Sequence, residues 1–352
     1  MVGDSNQEKA SRAPEWNNTG RRPLLSIVTP AFNEEKNLHE LHRRFKSVLD
    51  NMEIEWEWIV VDDHSTDSTF DVLKEIAGED HHVKVMRFSR NFGSHMALTC
   101  GLNHAKGDCA VIMASDLQDP PEEIPRLFAE WKKGAQVVWA VREQREGVGK
   151  ISLIFSRLYY FLMRHTGALE NLPAAGADFF LMDRHVIDAF GQFREGHVSI
   201  IALITWMGFR QAYTTYEKQA RLHGKSNWNI KKKLKLTVDS ITSFTYYPIR
   251  LMSYIGFVTA MFGLLYALLI VIHAFSGSPV PGWSSTMAVI LVLGGIQMAM
   301  LGVLGEYLWR ALDESRNRPR YIIEDAIGFH SERGTDQKVH SSDARSPEDL
   351  QR

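Results

Sequence analysis

Cysteine is nearly absent: Cys100 and Cys109 are the only two in 352 residues. No CxxC pair or Cys/His cluster accompanies them, which excludes a disulfide framework or a zinc site as the organising feature and fits a reducing compartment. A large charge of one sign is also missing. The formal net charge of −2 leaves no bulk basic face, so nucleic acid is not an expected partner. Residues 1–22 have no apolar h-region and no small-residue cleavage site, so no signal peptide is visible and the polar part of the chain is expected in the cytoplasm. This stretch reads as a disordered leader, and residues beyond about 328 read as a disordered tail.

Charge is missing locally in two places. Residues 251–272 and 284–305 contain no Asp, Glu, Lys or Arg, and each exceeds the roughly 20 residues needed to cross a hydrocarbon core. They are expected to be transmembrane helices in a unit spanning residues 249–310. Lys231, Lys232, Lys233, Lys235 and Arg250 precede the first span, and Arg310, Arg316, Arg318 and Arg320 follow the second. The positive-inside rule then puts both ends in the cytoplasm and the short connector 276–283 on the far side of an inner (plasma) membrane. Residues 228–248, with lysines at the start and apolar residues at helical spacing, read as an amphipathic interfacial helix against the lipid bilayer. Gly256, Gly263, Gly294, Gly295 and Gly302 offer close helix contacts, from which a homo-oligomer is expected. Residues 311–352 are assigned to a cytoplasmic tail.

What is present before the spans is an alternation of strands and helices over residues 23–227. Strands are expected at 24–30, 56–62, 83–88, 108–113 and 135–141. Helices are expected at 34–50, to residue 77 from a cap at Ser65 or Asp67, at 94–105, and from about Glu122. This is the pattern of an α/β domain with a mostly parallel sheet covered on both faces. Ligands of such sheets bind at the carboxyl ends of the strands, and the polar clusters fall there: PAFNEE after the first strand, VDDHSTD after the second and ASDLQDPP after the fourth. Each alone is compatible with a capped turn, because carboxylates stabilise helix N-termini. Three acidic turns in one crevice are costly unless a cation answers them, and a divalent metal holding a diphosphate through hard oxygen ligands would do so.

PAFNEE, VVDDHSTD, SRNFGSHMALTCGL and ASDLQDPPEEIP, in this order and spacing, resemble family 2 glycosyltransferases of the GT-A, Rossmann-like fold. With two C-terminal spans ending in LGEYLWR, the chain resembles the polyprenyl-phosphate glycosyltransferases over about residues 24–323. The resemblance implies inverting transfer of a sugar from a nucleotide-sugar, with UDP-glucose or a related UDP-hexose the first choice, to undecaprenyl phosphate or a similar polyprenyl phosphate. It implies Pro30, Phe32, Glu34, Asp63, Ala114 and Asp116 at the donor. Asp116, assisted by Gln118, would ligate Mg²⁺ or Mn²⁺ and serve catalysis. Arg142, Lys150, Ser156 and Arg221 would hold the acceptor phosphate, with Glu217, Lys225 and Ser226 in the same strand and loop. A planar guanidinium fork suits phosphate. His95, His104, His197 and His223 read as ordinary surface or core histidines.

Three positions depart from the pattern. Ala114 stands where the resemblance has the first carboxylate of Asp-x-Asp, which implies weakened donor or metal binding. His64 replaces a glycine and Phe180 an arginine, and both are expected to tune the donor. A processive polysaccharide synthase shares the fold, but its Gln-x-x-Arg-Trp motif is missing. A catalytically silent nucleotide-sugar-binding membrane protein is the other reading left open by Ala114.

Overall fold

The computed structural model describes residues 20–143, 173, 178–193, 200–219, 247–275, 282–316 and 318–329. The chain divides into two compact units. One comprises Met1–Tyr160, Asn171–Asn229 and Pro319–Arg352; the other comprises Phe161–Glu170 and Ile230–Arg318.

The first unit is built on an eight-stranded sheet: β1 (Leu24–Ala31), β2 (Glu55–Asp62), β3 (Val83–Phe88), β4 (Cys109–Ile112), β5 (Val137–Arg142), β6 (Phe179–Asp183), β7 (Gln211–Tyr216) and β8 (Ile323–Ile327). Their order across the sheet is β7-β5-β6-β4-β1-β2-β3-β8. β1 pairs in parallel with β2 and β4, β2 with β3, and β5 with β7, whereas β6 runs antiparallel between β4 and β5. Near-continuous apolar runs such as EWEWIVVD are buried on almost every residue, as a sheet covered on both faces requires.

The helices cover that sheet through apolar stripes. In α1 (Leu38–Leu49) the buried residues are Leu38, Leu41, Phe45 and Leu49, the spacing that puts side chains on one helical face. Each such side chain contributes about 1.5–3 kcal/mol when fully buried. α2 (Thr69–Glu79), α3 (Ser94–His104) and α4 (Ile124–Lys132) follow, and α5 (Arg184–Gly191) and α6 (Ile200–Trp206) come after β6. Gly101 lets α3 lie directly on β1: a Cβ there would stand 2.3 Å from Val28 Cγ1. Cys100 and Cys109 are buried free thiols, and burial pushes the Cys100 thiol up to about 12.

Two departures from the sequence reading concern strands. β6 and β7 were not anticipated, because FFLMD is a short buried run without alternation and QAYTTY is short, polar and mostly not buried. The expectation that residues 311–352 form a tail outside the domain needs correction. Residues up to Ser315 continue the last helix, and Ile323–Ile327 returns to pair antiparallel with β3. The returning strand satisfies a sheet edge that would otherwise be open, and Tyr321 stacks on Phe88 beside it. IEDAI carries two acidic residues and no strong strand signal, so only its partner reveals it.

The second unit contains α7 (Tyr247–Phe275) and α8 (Trp283–Ser315). Within them, Ile249–Ile270 and Val292–Ser315 are long and apolar enough to cross a membrane. Gly256 permits close approach of the pair, since a Cβ there would meet Met300 Cε at 3.0 Å. Residues 1–19 of the leader, residues 228–246 of the interfacial-helix assignment, the connector residues 276–281 and the tail beyond 329 lie outside the described residues, whereas Arg21, assigned to the leader, is fastened to Asp108.

Candidate active site

The parallel strands bring their carboxyl ends to one rim, and the acidic turns gather there. All three non-glycine residues with left-handed backbone among the described residues occupy these turns: Asn33 after β1, His64 after β2 and Leu117 after β4, with φ of 58°, 59° and 58°. That conformation is costly for a side chain with a Cβ. Its concentration at one rim marks a place where the backbone is shaped for something other than stability. It also explains why the resemblance has glycine where this chain has His64, whose Nδ1 bonds the Phe88 carbonyl at 2.9 Å.

The turns are laced together. Asn33 N donates to Ser65 Oγ at 3.0 Å, and Thr66 N donates to Asn33 Oδ1 at 2.9 Å. Ser115 Oγ donates to the Pro30 carbonyl at 3.0 Å, tying the β4 turn to the β1 turn. Glu34 accepts from Asn37 Nδ2 at 2.5 Å, and its backbone N–H donates to Thr69. Asp63 accepts from the backbone N–H groups of Phe92 and Gly93 at 2.6 and 2.9 Å, fastening the loop before α3. Asp116 is buried and accepts from Gln118 N at 3.2 Å. The rim therefore brings together Pro30, Phe32, Glu34, Asp63, Ala114, Asp116 and Gln118 from three adjacent strands.

The electrostatics of this rim are unfavourable as they stand. Burial pushes the carboxyls of Asp62, Asp63 and Asp119 above the usual range. Asp62 is fully buried, and its Oδ2 has no hydrogen-bond partner among the described residues; Arg87 Nε stands 3.6 Å away. Asp119 is likewise fully buried with Oδ2 unpartnered among them.

Arg142 ends β5 on the same rim, donating to Asp178 Oδ2 at 2.7 Å. Burial works against its charge, but Asp178, Tyr216 and Asp119 outweigh this and hold its pKa above the ordinary guanidinium value. Tyr216, at the end of β7, donates from its hydroxyl to Asp119 Oδ1 at 2.5 Å, and Lys218 Nζ lies 3.7 Å from the same oxygen. The sequence reading missed Asp119 and Tyr216. Asp119 lies within the quoted ASDLQDPP motif but passes for a turn residue before Pro120, and nothing local points to Tyr216.

Lys150, Ser156, Arg221, Lys225 and Ser226 lie outside the described residues. Glu217 is exposed and lines an open cavity of about 460 Å³ with Arg44, Glu122, Arg126, Glu143 and Tyr216. Phe180 is a buried core residue whose ring centroid lies 4.9 Å from that of Trp139. Among the described residues the one group of three metal-ligating side chains within 4.8 Å of one another is Asp80, His81 and His82. It lies before β3, at the opposite rim. Its carboxylate is already bonded by His42 and His82, with Lys46 3.6 Å away.

Residues 26–191 match the family described as glycosyl transferase family 2, and residues 247–310 match the GtrB C-terminal hairpin. The glycosyltransferase YkcC of Bacillus subtilis (strain 168) is 37% identical over 314 residues, which is 89% of this chain and 97% of the relative. The chain belongs to glycosyl transferase family 2. Glycosyltransferase sll0501 of Synechocystis (strain PCC 6803) is 36% identical across 87% of this chain and 96% of its own length. The bactoprenol glucosyl transferase of Shigella phage SfV is 34% identical across 86% and 98%. This glycosyltransferase thus joins a family 2 domain to a membrane-length hairpin, and both parts are similar to known relatives across nearly their whole length.

Proposed function

We propose that this glycosyltransferase moves a hexosyl group from a nucleotide-sugar, UDP-glucose first among them, to a polyprenyl phosphate such as undecaprenyl phosphate at the cytoplasmic face of a membrane. The observation that carries the reading is the single rim that gathers the acidic turns after β1, β2 and β4 together with Arg142 at the end of β5. The name of the phage relative and the two membrane-length helices support a prenyl acceptor. Pro30, Phe32, Glu34, Asp63 and Ala114 are assigned to the donor, and Arg142 to the acceptor phosphate, with Lys150, Ser156 and Arg221 as its further partners.

Mg²⁺ or Mn²⁺ fits this rim. Asp116 and Gln118 offer hard oxygen ligands, and the neighbouring carboxyls raised by burial call for a countercharge. Bound there, the ion would neutralise the diphosphate of the leaving nucleotide. The chain's own residues do the rest. A phosphate monoester, with its second pKa near 6, is largely dianionic at neutral pH and needs little help from a general base. It does need orientation and cationic cover as two anions approach, and the Arg142 fork supplies both. Direct in-line attack by the phosphate oxygen on the anomeric carbon breaks the bond to the diphosphate and inverts that carbon.

The test is transfer of labelled glucose from UDP-glucose to undecaprenyl phosphate by the full chain in nanodiscs. A lipid-linked product of inverted configuration that is lost on chelation is expected. Donor binding without any lipid-linked product from any UDP-hexose would overturn the reading in favour of a silent binding protein. Orientation is tested with single cysteines at Gly277 and in the tail: labelling of the tail by an impermeant reagent in intact cells would reverse the proposed topology. A Cβ at Gly263, Gly294, Gly295 or Gly302 would meet nothing within 4 Å among the described residues, which leaves these positions open to a second copy in the proposed homo-oligomer, and nanodisc mass measurement checks that assignment.

A further inference from the structure

The most unusual group on the rim that the reaction above leaves unused is Asp119. It is fully buried, yet only one of its two oxygens is hydrogen-bonded among the described residues. That oxygen accepts from the Tyr216 hydroxyl at 2.5 Å, with Lys218 Nζ 3.7 Å away. Having donated its only proton, the hydroxyl retains lone pairs on its oxygen. Arg142 is the register partner of Tyr216 across the β5–β7 pair; its guanidinium donates to Asp178, and its Nε has no hydrogen-bond partner among the described residues. Asp119, Tyr216 and Arg142 therefore stand in series, the phenol bonded to the carboxylate and next to Arg142 across the β5–β7 pair. Asp119 lies in the same turn as Asp116. The series thus links the turn assigned to the donor's metal with the arginine assigned to the acceptor.

We propose that Asp119 and Tyr216 are positioning residues that aim the Arg142 fork at the acceptor phosphate, with Asp119 orienting the phenol and the phenol orienting the guanidinium. The inference rests on the acceptor role given to Arg142 above. A rotatable guanidinium meets phosphate with both N–H groups only if its plane is set, and Asp178 alone fixes one end. A carboxylate kept dry and bonded through one oxygen is a costly way to hold a strand end together. Its retention is accounted for if the alignment matters when the acceptor binds. The competing role is structural, with Asp119 and Tyr216 merely fastening β7 to the β4 turn.

Tyr216→Phe separates the two. It removes the hydroxyl and keeps the ring that packs edge-on against Phe179 at 5.6 Å, so the fold should survive. Steady-state kinetics of the full chain in nanodiscs would be measured for the unchanged enzyme, Tyr216→Phe, Asp119→Asn and the double variant, with UDP-glucose and undecaprenyl phosphate varied separately. We expect the acceptor KM of Tyr216→Phe to rise about tenfold, a loss of roughly 1.4 kcal/mol, with the donor KM and melting temperature unmoved. Asp119→Asn should do the same, and the double variant should be no worse than either single one, as members of one chain are not additive. An unchanged acceptor KM in Tyr216→Phe, or equal losses toward donor and acceptor together with a lower melting temperature, would overturn the positioning role and leave the proposed reaction standing. Failure of the unchanged enzyme to transfer sugar to any polyprenyl phosphate would overturn both.

Discussion

The two rims of the same sheet treat their buried carboxylates in opposite ways. At the amino-terminal ends of the parallel strands the buried ones among the described residues, Glu57, Asp80 and Asp183, are each answered, and so is the half-buried Asp108. Glu57 accepts from Ser26, Lys84 and the backbone of Lys106; Asp80 accepts from His42, His82 and the backbone of His82. Asp108 is paired with Arg21 and the backbone of Leu24, and Asp183 accepts from Trp131 and caps α5 through His185. At the carboxyl-terminal ends, Asp62 and Asp119 each keep one oxygen without a hydrogen bond among the described residues, and burial raises their pKa. The pKa directions record the contrast. Burial alone would raise Asp80 too, but its hydrogen bonds win and hold it well below the usual range. Solvent exclusion is common to both rims; what differs is whether the protein supplies the partner. The amino-terminal rim satisfies its buried carboxylates, whereas the carboxyl-terminal rim, where Asp63 is bonded through both oxygens, leaves Asp62 and Asp119 each one partner short among the described residues.

The contrast can be broken or sharpened by substitution. The largest effect is expected at Asp116. Asp116→Asn should lower turnover by about 10²–10³, the usual cost of losing one well-placed electrostatic group, with circular dichroism unchanged; near-normal turnover would remove it from the reaction. Ala114→Asp works in the other direction. If the rim lacks one carboxylate for its metal or donor, turnover should rise by a similar factor, measured as labelled sugar transferred with Mg²⁺ or Mn²⁺. Equal activity in both forms would show that Ser115 or another group already compensates.

The opposite rim should respond in stability and not in activity. Asp80→Asn is expected to cost about 1.5–3 kcal/mol, the worth of hydrogen bonds to a charged group, by denaturant unfolding at neutral pH. Because the folded-state pKa of Asp80 is lowered, its contribution is fully present above the ordinary carboxylate range and disappears as pH falls through that range toward the folded value. The variant and the unchanged chain should therefore converge in acid. Asp119 has the reverse sign: its raised pKa means that stability falls as pH rises from the ordinary carboxylate range through the raised value. At Arg142, Lys keeps the charge and loses the fork, so acceptor KM should rise about tenfold, or roughly 1.4 kcal/mol. A loss confined to donor KM would move Arg142 to the donor side. The smallest effect belongs to His64→Gly. Relief of about 1–2 kcal/mol of left-handed strain is offset by loss of the bond to the Phe88 carbonyl, about 0.5–1.5 kcal/mol, so the melting temperature should move by only a few degrees.

Much of this was legible before folding. The expected strand at residues 83–88 coincides with β3, and the expected strands at 24–30, 56–62, 108–113 and 135–141 fall within two residues of β1, β2, β4 and β5. Apolar runs punctuated by acidic turns report burial locally. The carboxyl-end placement of Asp63, Asp116 and Gln118 follows from the strand–turn–helix order alone, and the two apolar helices follow from their charge-free runs. Asp119 and Tyr216 were not legible because they are 97 residues apart and meet only when β7 pairs with β5 and β6 inserts antiparallel beside β4.

What the sequence determined by itself is the run of strands and helices from β1 to β5, the two long apolar helices, and which turns are acidic, because side-chain periodicity and capping are properties of neighbours along the chain. Tertiary structure alone decided which of those acidic residues would be satisfied. Asp80 and Asp119 are the same residue type, both beside turns and both buried. One is hydrogen-bonded by two histidines brought by α1 and its own loop; the other is hydrogen-bonded by one phenol from a distant strand, with Lys218 3.7 Å away. The cost of a buried charge depends on the donors that pairing and packing carry to it, and those donors come from elsewhere in the chain.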